Sequence, residues 1–218
     1  MKKSGKCILI GAGDLTVGEL KKGEDDFCIA LDGGIGYCGF LNVEPDLIIG
    51  DFDSVTEEER IAVETIEREA PERVIRLKPE KDDTDMLFAL KYALEKGYRE
   101  FRIYAGTGGR LDHTLANVQC LLYLKKHDAV GYLMDGNGMI MVLKNESVRF
   151  RKNMEGVLSL FSLGERCEGV TITGMKYCLD NAAITNDFPI GISNEFIGQE
   201  AEIKVLNGEL VCMISYEA

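Results

Sequence analysis

Short, largely apolar runs set apart by helical or turn-rich stretches dominate the first part of the chain. Residues 7–10, 27–31, 47–49, 74–77 and 101–105 are such runs. Runs of this length between turn signals predict buried strands. The segments between them have helical character. Ser54-Val55-Thr56-Glu57 reads as a capping box, in which two side chains satisfy orphan backbone donors, and the helix it opens runs to about Glu69, with Pro71 beyond its end. Asp83 or Thr84 caps a second helix carrying Leu87, Leu90 and Leu94 at three- and four-residue steps, and Gly97 fits its C′ position. A third helix begins near Asp112 and runs through Leu115, Val118 and Leu122 to Lys125. Strands alternating with helices predict βαβ units in a mostly parallel, Rossmann-like sheet.

The pattern changes after Lys126. Residues 131–135 and 139–143 flank Gly136-Asn137-Gly138, which reads as a hairpin. Residues 157–161, 169–173, 202–206 and 210–215 are short alternating runs with no helical period, and Asn207-Gly208 reads as a second hairpin turn. The expected fold is therefore α/β, with an α/β domain over residues 1–140 and an all-β sandwich or barrel over 141–218. The boundary falls within residues 136–147.

Composition narrows the function. The 218 residues are 45% hydrophobic, enough for one large or two small cores, and 28% charged, which argues against wholesale disorder. A net charge of -12 with no basic stripe excludes a nucleic-acid binder. It also requires an anionic substrate to arrive with a metal or to meet a local basic patch. None of the seven cysteines forms a CxxC pair, so a zinc site has little support. The placement of Cys7, Cys28 and Cys212 in apolar runs predicts buried, reduced thiols and a cytoplasmic protein. No run is long enough for a membrane span, and the first apolar run is too short for a signal peptide.

The chemistry lies in carboxylates gathered at strand ends: Asp32 in Ala30-Leu31-Asp32-Gly33-Gly34, Asp51 and Asp53 in the run from Pro45 to Ser54, Asp82, Asp83 and Asp85 after Lys81, and Asp112 in Gly108-Gly109-Arg110-Leu111-Asp112-His113. In an open parallel sheet, ligands bind outside the carboxyl ends of the strands. That rule brings the four motifs to one rim. Asp51 and Asp53, two apart, would project to the same face of extended backbone. Like charges so gathered call for a cation, and a hard divalent ion carrying a polyphosphate fits best, because Mg²⁺ takes one or two carboxylates plus phosphate oxygens and water. Gly33-Gly34 and Gly108-Gly109 let backbone approach a ligand or turn sharply, and Arg110 offers a fork for two phosphate oxygens. Gly11-Ala12-Gly13 opens like a dinucleotide fingerprint, but Thr16 stands at its third small position, and no Walker A run is present.

Taken in order, these motifs resemble those of the thiamine pyrophosphokinase family. The likeness lies in Ala-x-Asp-Gly-Gly at 30–34, Pro-Asp-x-x-x-Gly-Asp-x-Asp-Ser at 45–54, Asp-x-Thr-Asp at 82–85 and Gly-Gly-Arg-x-Asp-His at 108–113. Thr173-Gly174-Met175-Lys176-Tyr177 and Gly191-Ile192-Ser193-Asn194-Glu195-Phe196 extend it into the second part. Two departures stand out: Cys178 where bacterial relatives often have Pro, and Tyr177 where the family's aromatic can be Trp.

The resemblance implies an α/β nucleotide domain followed by a β-rich thiamine-binding domain, and a homodimer. It implies transfer of the diphosphoryl group of ATP to the hydroxyl of thiamine, releasing AMP. Asp32, Asp51, Asp53 and Asp85 would hold Mg²⁺, and Asp53 or Asp85 would take the hydroxyl proton. Asp32, Gly33, Gly34, Lys81, Asp82, Thr84, Gly108 and Arg110 would serve ATP. Asp112, His113, Tyr177, Ser193 and Asn194 would face thiamine, Tyr177 by stacking. The competing readings are a Mg²⁺-dependent pyrophosphokinase or nucleotide hydrolase with another acceptor, and a ligand sensor without chemistry.

Overall fold

A computed structural model describes residues 2–78, 80 and 82–216 and divides the chain into two compact units, residues 1–136 and 137–218. The first unit runs β1 (Cys7–Ile10), β2 (Phe27–Leu31), α1 (Ile35–Phe40), β3 (Leu47–Gly50), α2 (Glu57–Glu69), β4 (Val74–Arg76), α3 (Asp85–Glu95), β5 (Glu100–Tyr104), α4 (Leu111–Lys125) and β6 (Val130–Asp135). Its six strands are parallel in the order β6-β5-β1-β2-β3-β4. β1 lies centrally, with Cys7 opposite both Phe27 and Phe101, and all four of its residues are fully buried. A strand buried on both faces has no polar side to show, which is why it reads as an unbroken apolar run. Strand order runs outward in opposite senses on the two sides of β1, so the β1/β5 junction is a topological switch point.

Helix boundaries follow local signals. α2 starts at a capping box two residues later than expected: Thr56 Oγ1 accepts from Glu59 N, and Glu59 returns the bond to Thr56 N. Its Val63 is fully buried in a cluster with Ile48 and Phe52. Thr84 caps α3 by accepting from Leu87 N, and Gly97 ends it at φ +98°. The connection between β1 and β2 contains no helix; its Leu20 joins the core cluster of Ile8, Ile10, Cys28 and Leu41. Residues 131–135 complete the parallel sheet as β6, paired with β5. Gly131 permits this, because a Cβ there would lie 2.4 Å from Leu124 Cδ1 of α4.

The second unit contains β7 (Gly138–Lys144), β8 (Ser147–Phe150), β9 (Val157–Ser162), β10 (Arg166–Thr173), β11 (Leu179–Thr185), β12 (Asn194–Glu195), β13 (Ala201–Lys204) and β14 (Glu209–Ser215), with no helix among the described residues. They form two antiparallel arrays, β12-β9-β14-β7 and β11-β10-β13-β8. Asn207-Gly208 therefore does not close a hairpin. It carries the chain from β13 in one array to β14 in the other, because alternation along each strand specifies a buried face but not a partner. All seven cysteines are unpaired; six are buried and Cys178 is exposed. No described helix is long and apolar enough to cross a membrane.

Candidate active site

The switch point of the first unit opens into a cleft of about 610 Å³ lined by Gly11 to Gly13, Asp32, Ser54, Thr84 to Met86, and the Gly106–Arg110 loop with the first turns of α4. Each wall is built at a strand's carboxyl end. After β2, Asp32 turns the chain at φ +44°, and Gly34 presses so close that a Cβ would lie 2.2 Å from the Ile10 carbonyl oxygen. Gly34 thus serves packing, and neither it nor Gly33 lines the cleft. After β5, Ala105 turns at φ +47°, and Gly108 and Gly109 follow at +80° and +58°. Asn117 on α4 fixes that loop by donating from Nδ2 to the Gly106 carbonyl at 2.7 Å.

The β3 end departs from the extended geometry expected of it. Phe52 adopts φ +59°, and Asp53 N donates to Asp51 Oδ1 at 3.3 Å, so the chain turns between the two carboxylates. A buried Phe in the left-handed region is strained. Its burial beside Ile48 and Val63 holds it there.

Asp32 is the electrostatic centre of the cleft. Burial and the neighbouring Asp85, hydrogen-bonded to it, push its carboxyl up to about 7, with Asp51 adding repulsion and the Phe52 N–H opposing. Two carboxyl groups in contact in a half-buried cleft fit a divalent cation. Among the described residues, no group of three or more His, Cys, Asp or Glu side chains converges to hold a metal ion. An ion there would take its remaining ligands from phosphate and water, the habit of Mg²⁺ rather than of an all-protein cage.

The other wall is suited to anions. The N-termini of α3 and α4 both open on the cleft, where unsatisfied N–H groups and the helix dipole favour phosphate. Arg110, the N-cap of α4, lies exposed in an ion pair with Asp112 at 2.6 Å. That pair holds the Asp112 carboxyl below its usual range, helped by donation from His113 N.

Not every expected residue converges. Asp51 and Asp53 do not line the cleft, although Asp51 acts on Asp32 electrostatically. Asp82 lines a separate hollow of about 640 Å³ with Arg76, Lys78 and Lys91. Asp83 pairs with Lys91 at 2.6 Å. Lys81 lies outside the described residues. The lining residues not anticipated include Gly11, Ala12, Gly13, Ser54 and Asn117. The strand-end rule applied to β1 would have found the first three; the incomplete glycine fingerprint hid them.

In the second unit, Tyr177 is 60% exposed, whereas Asn194 is only 6% exposed. Tyr177 N donates to Asn194 Oδ1 at 2.9 Å, and Asn194 Nδ2 donates to the Tyr177 carbonyl at 2.7 Å. Lys176 pairs with Glu195 at 2.5 Å and lies 5.6 Å from the Tyr177 ring centroid. Ser193 is exposed at φ +56°, and its N–H donates to Ser159 Oγ at 3.1 Å.

Residues 20–133 match the family model described as thiamin pyrophosphokinase, catalytic domain, and residues 145–210 match thiamin pyrophosphokinase, vitamin B1 binding domain. A thiamine pyrophosphokinase of Bacillus subtilis (strain 168) is 33% identical over 193 residues, covering 88% of each chain. The crystal structure of thiamine pyrophosphokinase from Bacillus subtilis superposes with a TM-score of 0.85 at 32% identity, covering 98% of this chain and all of that one. That of Geobacillus thermodenitrificans thiamin pyrophosphokinase gives 0.83 at 29% identity over 98% of each. The yeast enzyme, 16% identical with a TM-score of 0.71 over 99% of this chain and 87% of its own, shares the fold.

Proposed function

This chain belongs to the thiamin pyrophosphokinase family, and on that premise we propose that it transfers the diphosphoryl group of ATP to the hydroxyl of thiamine, giving thiamine diphosphate and AMP. We read the first unit as a Rossmann-like nucleotide domain and the second as a sandwich that takes thiamine. The observation that carries the reading is the Asp32–Asp85 carboxyl pair in the same cleft as the Gly108-Gly109-Arg110 loop and two helix N-termini. One wall suits a cation and the other suits phosphate.

Asp32 and Asp85 would hold Mg²⁺, with Asp51 and Asp53 behind them. When bound, the ion neutralises charge on the reacting phosphates. The remaining work falls to the chain. Arg110 leaves Asp112 and binds phosphate oxygens with its fork, while the α3 and α4 N–H groups fix the polyphosphate. Asp85 or Asp53 accepts the thiamine hydroxyl proton as the new P–O bond forms. Tyr177 stacks on a thiamine ring. Positioning and electrostatics supply most of the acceleration. Exposed Phe188, Ile190 and Ile192 support a homodimer, and the unpaired cysteines suit a reducing cytoplasm.

Product analysis with ATP, Mg²⁺ and thiamine tests the reading. AMP and thiamine diphosphate in equal amounts are expected, and Asp85→Asn should abolish both while the fold survives. ADP as product, or nucleotide hydrolysis independent of thiamine, would overturn it.

A further inference from the structure

Asn194 was expected to touch substrate, yet its side chain is committed elsewhere. It is one of two buried polar side chains among the described residues. Its amide oxygen and nitrogen are both engaged by the main chain of one residue, Tyr177, in a reciprocal pair of hydrogen bonds. The segments on either side are tied as well: Lys176 N donates to the Glu195 carbonyl at 3.0 Å, and Met175 bridges to Phe196. Asn194 is itself anchored, since β12 pairs with β9 through Asn194 opposite Leu158. The backbone of an exposed aromatic is thereby fixed to a buried side chain, while its ring stays free to meet a ligand.

We infer that Asn194 is a positioning residue for thiamine, acting through the Tyr177 backbone rather than by contact with substrate. Only an amide fits the task, because one group must both accept from the Tyr177 N–H and donate to its carbonyl. Asp would keep the acceptor and set a carboxylate against the carbonyl oxygen. Ala would leave both backbone groups unpaired where water enters poorly. The inference rests on the proposed stacking role of Tyr177, and its test separates the two.

The experiment is a double-mutant cycle on KM for thiamine and for ATP, using Asn194→Ala, Tyr177→Ala and the pair, with amide hydrogen exchange of Tyr177 in the substrate-free protein. Asn194→Ala should raise KM for thiamine about tenfold, the scale of one or two lost hydrogen bonds. KM for ATP should stay unchanged, and Tyr177 amide protection should fall. In the Tyr177→Ala background the same substitution should add less than twofold, since groups acting as one unit are not additive. Full additivity, or unchanged protection of the Tyr177 amide, would overturn the positioning role alone. If Tyr177→Ala leaves KM for thiamine unchanged, the stacking role fails first and the positioning role falls with it. Should Asn194→Ala not fold, Asn194→Leu, which fills the space and removes both the acceptor and the donor, enters the same cycle with the same expectations.

Discussion

Asp32 is held in a costly state when no cation is near it. An unfolded aspartate titrates near pH 4, roughly 3.9, whereas burial and Asp85 raise the folded group to about 7. Between those values the folded protein keeps a proton that the unfolded chain has released. The contribution of Asp32 to stability is therefore full below about pH 4 and is lost as pH rises to about 7. Melting curves without divalent ion should show wild type losing stability relative to Asp32→Asn across that window, and parallel curves would refute the assignment. Gly50 tests the same side chain sterically, because a Cβ there would lie 2.0 Å from Asp32 Oδ1. Gly50→Ala should lower kcat about tenfold or more by displacing that carboxylate; unchanged turnover would show that Asp32 can shift without consequence. At this scale the sequence anticipated that Asp32, Asp85, Arg110 and Asp112 share one cleft and not how the neighbouring side chains point. Nothing in Asp51-Phe52-Asp53 announces the left-handed turn at Phe52, since it arises from core packing with Ile48 and Val63. Nor could spacing show that Asn194 faces the Tyr177 backbone.

The starts of α2 and α3 are set by side-chain caps, and caps are local. Thr56 and Thr84 each accept from the backbone N–H three residues on. Replacing either with Ala should cost about 1 kcal/mol in urea unfolding. Only Thr84→Ala should also reduce turnover, because Thr84 and the first residue of α3, Asp85, line the cleft. Equal effects on activity would mean that α2 also shapes the cleft. Locality explains why α2, α3 and α4 were legible to within a residue or two. It also explains the error at the α2 start: Ser54 and Thr56 each precede a Glu by three, and only the turn at Phe52 selects the second. α1, with two glycines in six residues, carried no usable period. Strand positions in the first unit were legible from apolar runs, whereas β8, β11 and β12, which are short or largely polar and exposed, were missed. The partners across Asn207-Gly208 were not legible either, because pairing is decided by distant segments.

At the scale of the molecule, a charge of -12 opposes an anionic nucleotide at long range. Screening should relieve this, so kcat/KM for Mg-ATP should rise by about twofold between ionic strengths of roughly 0.02 and 0.15 M. A fall would mean that the field of Arg110 and the two helix N-termini governs approach. The alternation of strands and helices made the class of the first unit legible, yet it could not reveal that the earliest strand is the central one. That placement bears on how the protein is made. β1 is made before its sheet neighbours and gains its second one only when β5 is complete at Tyr104. Until then a wholly apolar strand stands with one edge bare, a template for pairing with other nascent chains. Chaperones that shield extended greasy segments should therefore bind stalled chains ending before Glu100 and release those extending past β5.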